Sequence, residues 1–115
     1  MNIGIIGLGL MGGSLAKAVK RYGNAKKVYG FTNSEKNKKD ILELNLVDEL
    51  VDLETLKKVS DVIILAIPVD AIIGMFPNFL NIDENTTIID MGSTKEYIVK
   101  NIPKKIRQNF IAAHP

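Results

Sequence analysis

Residues 2–12, "NIGIIGLGLMG", decide how the rest of the chain is read. The stretch 2–7 is apolar, rich in isoleucine and closed by glycine, and reads as a buried strand. Gly7, Leu8, Gly9, Leu10, Met11 and Gly12 then form a G-x-G-x-x-G. Beyond it, Leu15, Ala18, Val19 and Tyr22 recur at i, i+3, i+4 and i+7, the apolar stripe of a helix over about 12–22. The glycine pattern gains its meaning from lying between a strand and a helix. There Gly7 permits a tight turn, and Gly9 lets a pyrophosphate reach the backbone. Gly12 lets the helix pack close to the strand, with its first N–H groups toward the phosphates. Gly13 and Ser14 keep the helix start small, and Ser14 offers a hydroxyl that either reaches a phosphate or caps the helix. The plainer reading is a glycine-rich turn with no ligand.

Outward from this turn, apolar runs alternate with helical patterns. "KVYGF" (27–31) reads as a second strand, followed by a polar helix over about 34–44 and a short strand near 49–51. "DVIILAI" (61–67) is continuously apolar, as a central parallel strand covered on both faces should be. A helix over 69–79 follows, interrupted at Pro77, then a strand at 86–91, a short helix near 94–101 and a strand at 109–113. Such alternation builds right-handed βαβ units, so the expected fold is α/β: a doubly wound, mostly parallel Rossmann sheet of about six strands with helices on both faces. With no repeat, low-complexity stretch or internal linker, residues 1–115 read as one dinucleotide-binding domain. Ligands in such sheets sit beyond the carboxyl ends of the strands, which here carry Gly7, Thr32, Pro68, Gly92 and His114.

The end of the second strand bears on which dinucleotide is bound. NAD sites usually place a carboxylate there, about 20 residues after the glycines, to hold the ribose hydroxyls. This chain has "GFTNSEKNKK", with Thr32, Asn33 and Ser34 in its place and Lys36, Lys38 and Lys39 close behind. Small polar groups and lysines tolerate a 2′-phosphate, which a carboxylate would repel. NAD and NADP therefore both remain open, with Glu35 the acid that could return to the ribose. Ser34 is equally suited to be only the N-cap of the following helix, with the lysines on its wet face.

The 115 residues, 46% hydrophobic and 24% charged, are those of a globular protein with a core of its own. Without cysteine, disulfides, thiolate metal sites and thiol catalysis are excluded. The apolar start lacks a basic leader and is broken by glycines, so neither a signal peptide nor a membrane span is expected, and a cytoplasmic location is. The net charge of +2 hides an asymmetry: residues 1–39 hold eight Lys/Arg against Glu35 alone, and residues 40–56 hold six acids and no base. Either these are solvated helix faces or the early basic cluster attends a phosphate. No aromatic-basic interleaving points to a nucleic acid.

Three further strand ends add more than a dinucleotide. "AIPVD" (66–70), "IIDMGSTK" (88–95) and "FIAAHP" (110–115), with "IGIIGLGLMGGSLA" (3–16), resemble the prephenate and arogenate dehydrogenase family of tyrosine biosynthesis. That family's pattern is G-x-G-x-M-G-G-S, a Pro after the fourth strand, D-x-x-S-x-K, and H-P-M-A-G. The resemblance spans essentially all 115 residues and stops at His114-Pro115, where the chain stops.

The resemblance implies NAD(P)-dependent oxidative decarboxylation of prephenate to 4-hydroxyphenylpyruvate, or of arogenate to tyrosine. It implies that His114 takes the proton of the substrate hydroxyl and that Ser93 orients His114 and touches the same hydroxyl or the nicotinamide amide. Pro68, Val69 and Gly92 would line the cofactor, Asp90 would hold the turn presenting Ser93, and Lys95 would serve the site or cap its helix. Ser93 as a plain N-cap is the competing reading. The resemblance also implies a second, largely helical domain that holds the substrate carboxylates and forms a homodimer. The 1–115 fragment is then expected to bind dinucleotide without turning over prephenate. The alternatives are another dehydrogenase, of the 3-hydroxyacid type, in which His114 is incidental, and a non-catalytic dinucleotide-sensing domain. No metal site is expected.

Overall fold

The apolar runs become the strands of one sheet. A computed structural model describes residues 1–7, 26–67, 69–90 and 110–112. Within them lie β1 (Asn2–Ile6), β2 (Lys27–Phe31), β3 (Glu49–Leu50), β4 (Val62–Leu65), β5 (Thr87–Asp90) and β6 (Phe110–Ala112). The helices are α1 (Glu35–Leu44), α2 (Leu53–Val59) and α3 (Val69–Met75), with a 3-10 turn at Phe76–Phe79. The helices expected over 12–22 and 94–101 fall outside the described residues.

The sheet order is β3-β2-β1-β4-β5-β6, and every neighbouring pair is parallel. The chain steps outward from β1 through β2 to β3, then returns to the other edge of β1 with β4. Strand order therefore reverses between β1 and β4. Ile3 sits across from Val28 on one side and Val62 on the other.

Alternation along the central strands sends side chains to two separate cores. Ile6, Ile63 and Leu65 join Leu56, Ile72, Phe76 and Phe79 on the face covered by α2, α3 and the 3-10 turn. Ile5, Val28 and Ile64 join Ile41 of α1 on the other face. This is the physical content of a doubly wound sheet: β4 reads as an unbroken apolar run because both of its faces are covered.

Local chemistry sets the helix ends. Ser34 Oγ accepts from the Asn37 N–H at 3.2 Å to start α1, and Asn45, at φ 51°, ends it. Pro77 comes one residue into the 3-10 turn, so α3 stops at Met75 as the expected interruption requires. Between β3 and β4 the chain also forms α2, a helix not among those expected from the sequence. Asp52 caps it through the Thr55 N–H at 2.7 Å, Leu56 buries its inner face, and Lys57 and Lys58 suit the negative end of its dipole. It lies so close to β1 that a Cβ at Gly4 would meet Leu56 Cδ2 at 2.8 Å. None of the described helices is long and apolar enough to cross a membrane.

Candidate functional site

Gly7 follows β1 with φ at +86°, a conformation that glycine alone adopts at little cost. A Cβ there would lie 2.7 Å from the Ala66 carbonyl oxygen and closer still to Ile67 Cγ2. The turn is pinned to both neighbouring strands. The Gly7 N–H donates to the Phe31 carbonyl at 2.9 Å, and the Ala66 N–H donates to the Ile6 carbonyl at 2.9 Å. Three strand ends thus meet at the switch point.

A cleft of about 610 Å³ opens there. Its floor is Ile6, Gly7, Ala66 and Ile67, at the ends of β1 and β4. One side, at the end of β2, presents Thr32, Asn33, Ser34 and Asn37. These form a relay, since Thr32 Oγ1 accepts the Ser34 N–H at 3.2 Å and Ser34 Oγ accepts the Asn37 N–H. The other side brings Leu53 from α2, Ala71 and Met75 from α3, and Asn78 from the 3-10 turn. A second cavity of about 600 Å³ lies beside Ser60, Asp61 and Thr86, at the amino ends of β4 and β5. Open parallel sheets bind their ligands at the opposite, carboxyl end, which selects the first cleft.

Of the residues singled out in the sequence, Gly7, Thr32, Asn33 and Ser34 come together in this cleft. Val69 opens α3 just before Ala71. Leu8, Gly9, Leu10, Met11, Gly12, Pro68, Gly92, Ser93 and His114 lie outside the described residues. Asn37, Leu53, Ala71, Met75 and Asn78 are additions that the sequence pattern does not single out. Asn37 belongs to the first turn of a helix that starts at a strand end, which is the available signal.

The charges beside the second strand are more restrained than the sequence suggests. Lys38 pairs with Glu35 at 3.1 Å, and the Glu35 side chain is 87% exposed. Thr32, Lys38 and Asp52 share a smaller adjoining cavity of about 310 Å³. The Asp52 carboxyl is held below the usual carboxylate range by the Thr55 backbone N–H and then by the Thr55 hydroxyl.

The described residues fit a dinucleotide. A backbone turn without a Cβ stands at the switch point, small hydroxyl and amide groups suit a ribose, and an apolar wall with an amide suits a flat base. No carboxylate is among the described residues lining the cleft.

Fold and cleft together define a doubly wound nucleotide-binding domain. Residues 15–115 match the family model described as the prephenate dehydrogenase nucleotide-binding domain. The chain belongs to that family. It is similar to the prephenate dehydrogenase of Bacillus subtilis, at 32% identity over 96% of this chain and 31% of that protein. Among solved structures, it resembles prephenate dehydrogenase from A. aeolicus in complex with hydroxyphenyl propionate and NAD+, at TM-score 0.89 and 28% identity, covering all of this chain and 41% of that one. Synechocystis arogenate dehydrogenase is similar at TM-score 0.83 and 28% identity, with the same two coverages. The chain therefore spans about a third to two fifths of these relatives' length.

Proposed function

We propose that this chain is the cofactor-binding part of an NAD(P)-dependent dehydrogenase that oxidatively decarboxylates prephenate to 4-hydroxyphenylpyruvate, or arogenate to tyrosine. The observation that carries the proposal is the family match over residues 15–115, with a cleft of dinucleotide size at the switch point. Membership of this family disfavours the 3-hydroxyacid alternative.

In this reading Gly7 and the glycines after it receive the pyrophosphate, and the β2 end with Thr32, Asn33 and Ser34 receives the adenosine ribose. No carboxylate is among the described residues lining the cleft at that end, which leaves room for a 2′-phosphate, so this reading takes NADP beside NAD. The bound nicotinamide supplies the hydride acceptor. His114 takes the proton of the ring hydroxyl as the hydride leaves the same carbon and carbon dioxide departs. An imidazole of pKa near ~6.5 suits that transfer close to neutral pH. Ser93 holds His114 in line. Aromatisation drives the step, so these residues chiefly align the reacting atoms.

The remainder of such an enzyme is a helical domain that pairs the substrate's carboxylates with cationic side chains and forms a homodimer in the cytoplasm. Steady-state turnover of the intact protein with prephenate, arogenate and a 3-hydroxy acid, each with NAD and NADP, tests the proposal. Turnover of prephenate or arogenate is expected. Oxidation of the 3-hydroxy acid alone, or of none of the three, would overturn it.

A further inference from the structure

Lys57 is a lysine whose side chain is only 8% exposed, although it carries a charge near the surface. Its ammonium has three donors and three acceptors around it. These are the Glu54 carboxylate at 3.1 Å, the Asn78 carbonyl at 2.5 Å and the Asn81 side-chain oxygen at 3.2 Å. Glu54 belongs to the same helix, α2. Asn78 and Asn81 belong to the 3-10 turn and the loop after it. A single side chain therefore bolts α2 to the segment that follows α3.

Those two segments form the apolar wall of the cleft. Leu53 stands one helical turn before Lys57 on α2, and Asn78 is both the residue whose carbonyl Lys57 holds and a residue of the cleft. Met75, also in the cleft, precedes the 3-10 turn directly. Leu53 and Met75 both pack against the core cluster of Leu56, Phe76 and Phe79, which brings the two segments together without fixing their polar register. Lys57 supplies a charge-assisted one between chain segments some twenty residues apart. Lys57 itself lines the other cavity, at the amino end of the sheet, and touches nothing bound in the cleft.

We propose that Lys57 is a positioning residue that sets the spacing of the base-binding wall between Leu53 and Asn78, and so tunes affinity for the adenine half of the dinucleotide. This rests on reading the cleft as the dinucleotide site. The ribose end at Thr32 and the phosphate turn at Gly7 leave this wall to the adenine. On the same reading the nicotinamide half is taken to lie toward the later strand ends, where the sequence singles out Gly92, Ser93 and His114, and away from this wall.

The test compares binding of NAD, NADP, 5′-AMP and nicotinamide mononucleotide to the wild-type protein and to Lys57→Met, Lys57→Arg and Asn81→Leu. Calorimetric or NMR titrations would be used, with thermal melting recorded for each protein. Lys57→Met keeps the aliphatic stem and removes the donors. It is expected to weaken 5′-AMP and both dinucleotides about tenfold, within the range by which residues that touch no ligand modulate a site, and to leave the mononucleotide unchanged. Lys57→Arg restores most of the affinity. Asn81→Leu removes one acceptor on an exposed loop, so it stays folded even where Lys57→Met does not, and gives a smaller loss with the same preference for the adenine half. A lowered melting temperature with unchanged 5′-AMP affinity, or an equal loss for both halves, would overturn the proposal. Failure of the wild-type protein to bind either dinucleotide would instead overturn the reading of the cleft, and this proposal with it.

Discussion

The Gly7 N–H donates to the Phe31 carbonyl oxygen at 2.9 Å, so the turn after β1 is bonded to the last residue of β2. The two places where a dinucleotide would lay its phosphates and its adenosine ribose are therefore held at fixed separation by the sheet itself. A substitution at either end can be judged by what it does to this junction.

At Gly7, alanine would have to adopt φ of +86° and place its Cβ against Ala66 and Ile67. The left-handed backbone alone costs about 1–2 kcal/mol, and the overlap adds to it. Gly7→Ala should therefore lower stability in urea denaturation by at least that much. It should also abolish dinucleotide binding in titrations under conditions where the protein remains folded.

Thr32→Asp tests the choice of dinucleotide. The new carboxylate can accept the Ser34 N–H as Thr32 Oγ1 does now, so the fold should survive. Its charge would face a 2′-phosphate, and like charges brought together cost several kcal/mol when poorly solvated. The ratio of NADP to NAD affinity should fall by at least about tenfold. An unchanged ratio would mean that the β2 end does not meet the 2′ position.

His114→Asn in the intact protein should lower kcat by about 10²–10⁴-fold, the usual worth of a positioned proton acceptor, with little change in dinucleotide Kd. Full retention of kcat would remove His114 from the reaction and favour a dehydrogenase in which this histidine is incidental.

Asp52 gives a pH prediction. Its carboxyl titrates lower in the folded protein than in the unfolded chain, because the Thr55 N–H and hydroxyl stabilise the charged form. The unfolded state then binds the proton first as pH falls. The stabilisation from Asp52 is complete above the unfolded pKa and is lost from about pH 4 downward. Asp52→Asn keeps a capping side chain but cannot titrate. Its stability curve, measured by urea denaturation at a series of pH values, should therefore be flatter than the wild-type curve in that acid window and parallel to it near neutrality.

The strands are legible in the sequence because each long one is an apolar run closed by glycine, proline or small polar residues, and burial on both faces leaves little ambiguity in such runs. β4 is the clearest case, and β1 closed by Gly7 marks the switch point by its residues alone. Helix α2 is hard to read because it is only seven residues long and follows the acidic stretch of Asp48, Glu49 and Asp52, which masks the Asp52 cap and the buried Leu56. The cleft is half legible. Thr32, Asn33 and Ser34 follow from the rule for strand ends. Leu53, Met75 and Asn78 depend on how two covering segments approach each other, which no local pattern encodes. Asn37 reads as part of a wet helix face, and only the Ser34 cap geometry turns the first turn of α1 toward the cleft.

The order of the sheet also bears on how the molecule comes into being. β1, at residues 2–6, is an inner strand with β2 on one edge and β4 on the other, and Ile3 meets Val62 only after nearly sixty residues of intervening chain. On a ribosome, β1 keeps one edge unpaired until β4, at residues 62–65, has been made. Pairings that join distant segments form slowly, and exposed strand edges are where newly made chains stick to one another. The same placement that brings Gly7 to the centre of the sheet thus leaves β1 with an open, adhesive edge until its second neighbour arrives.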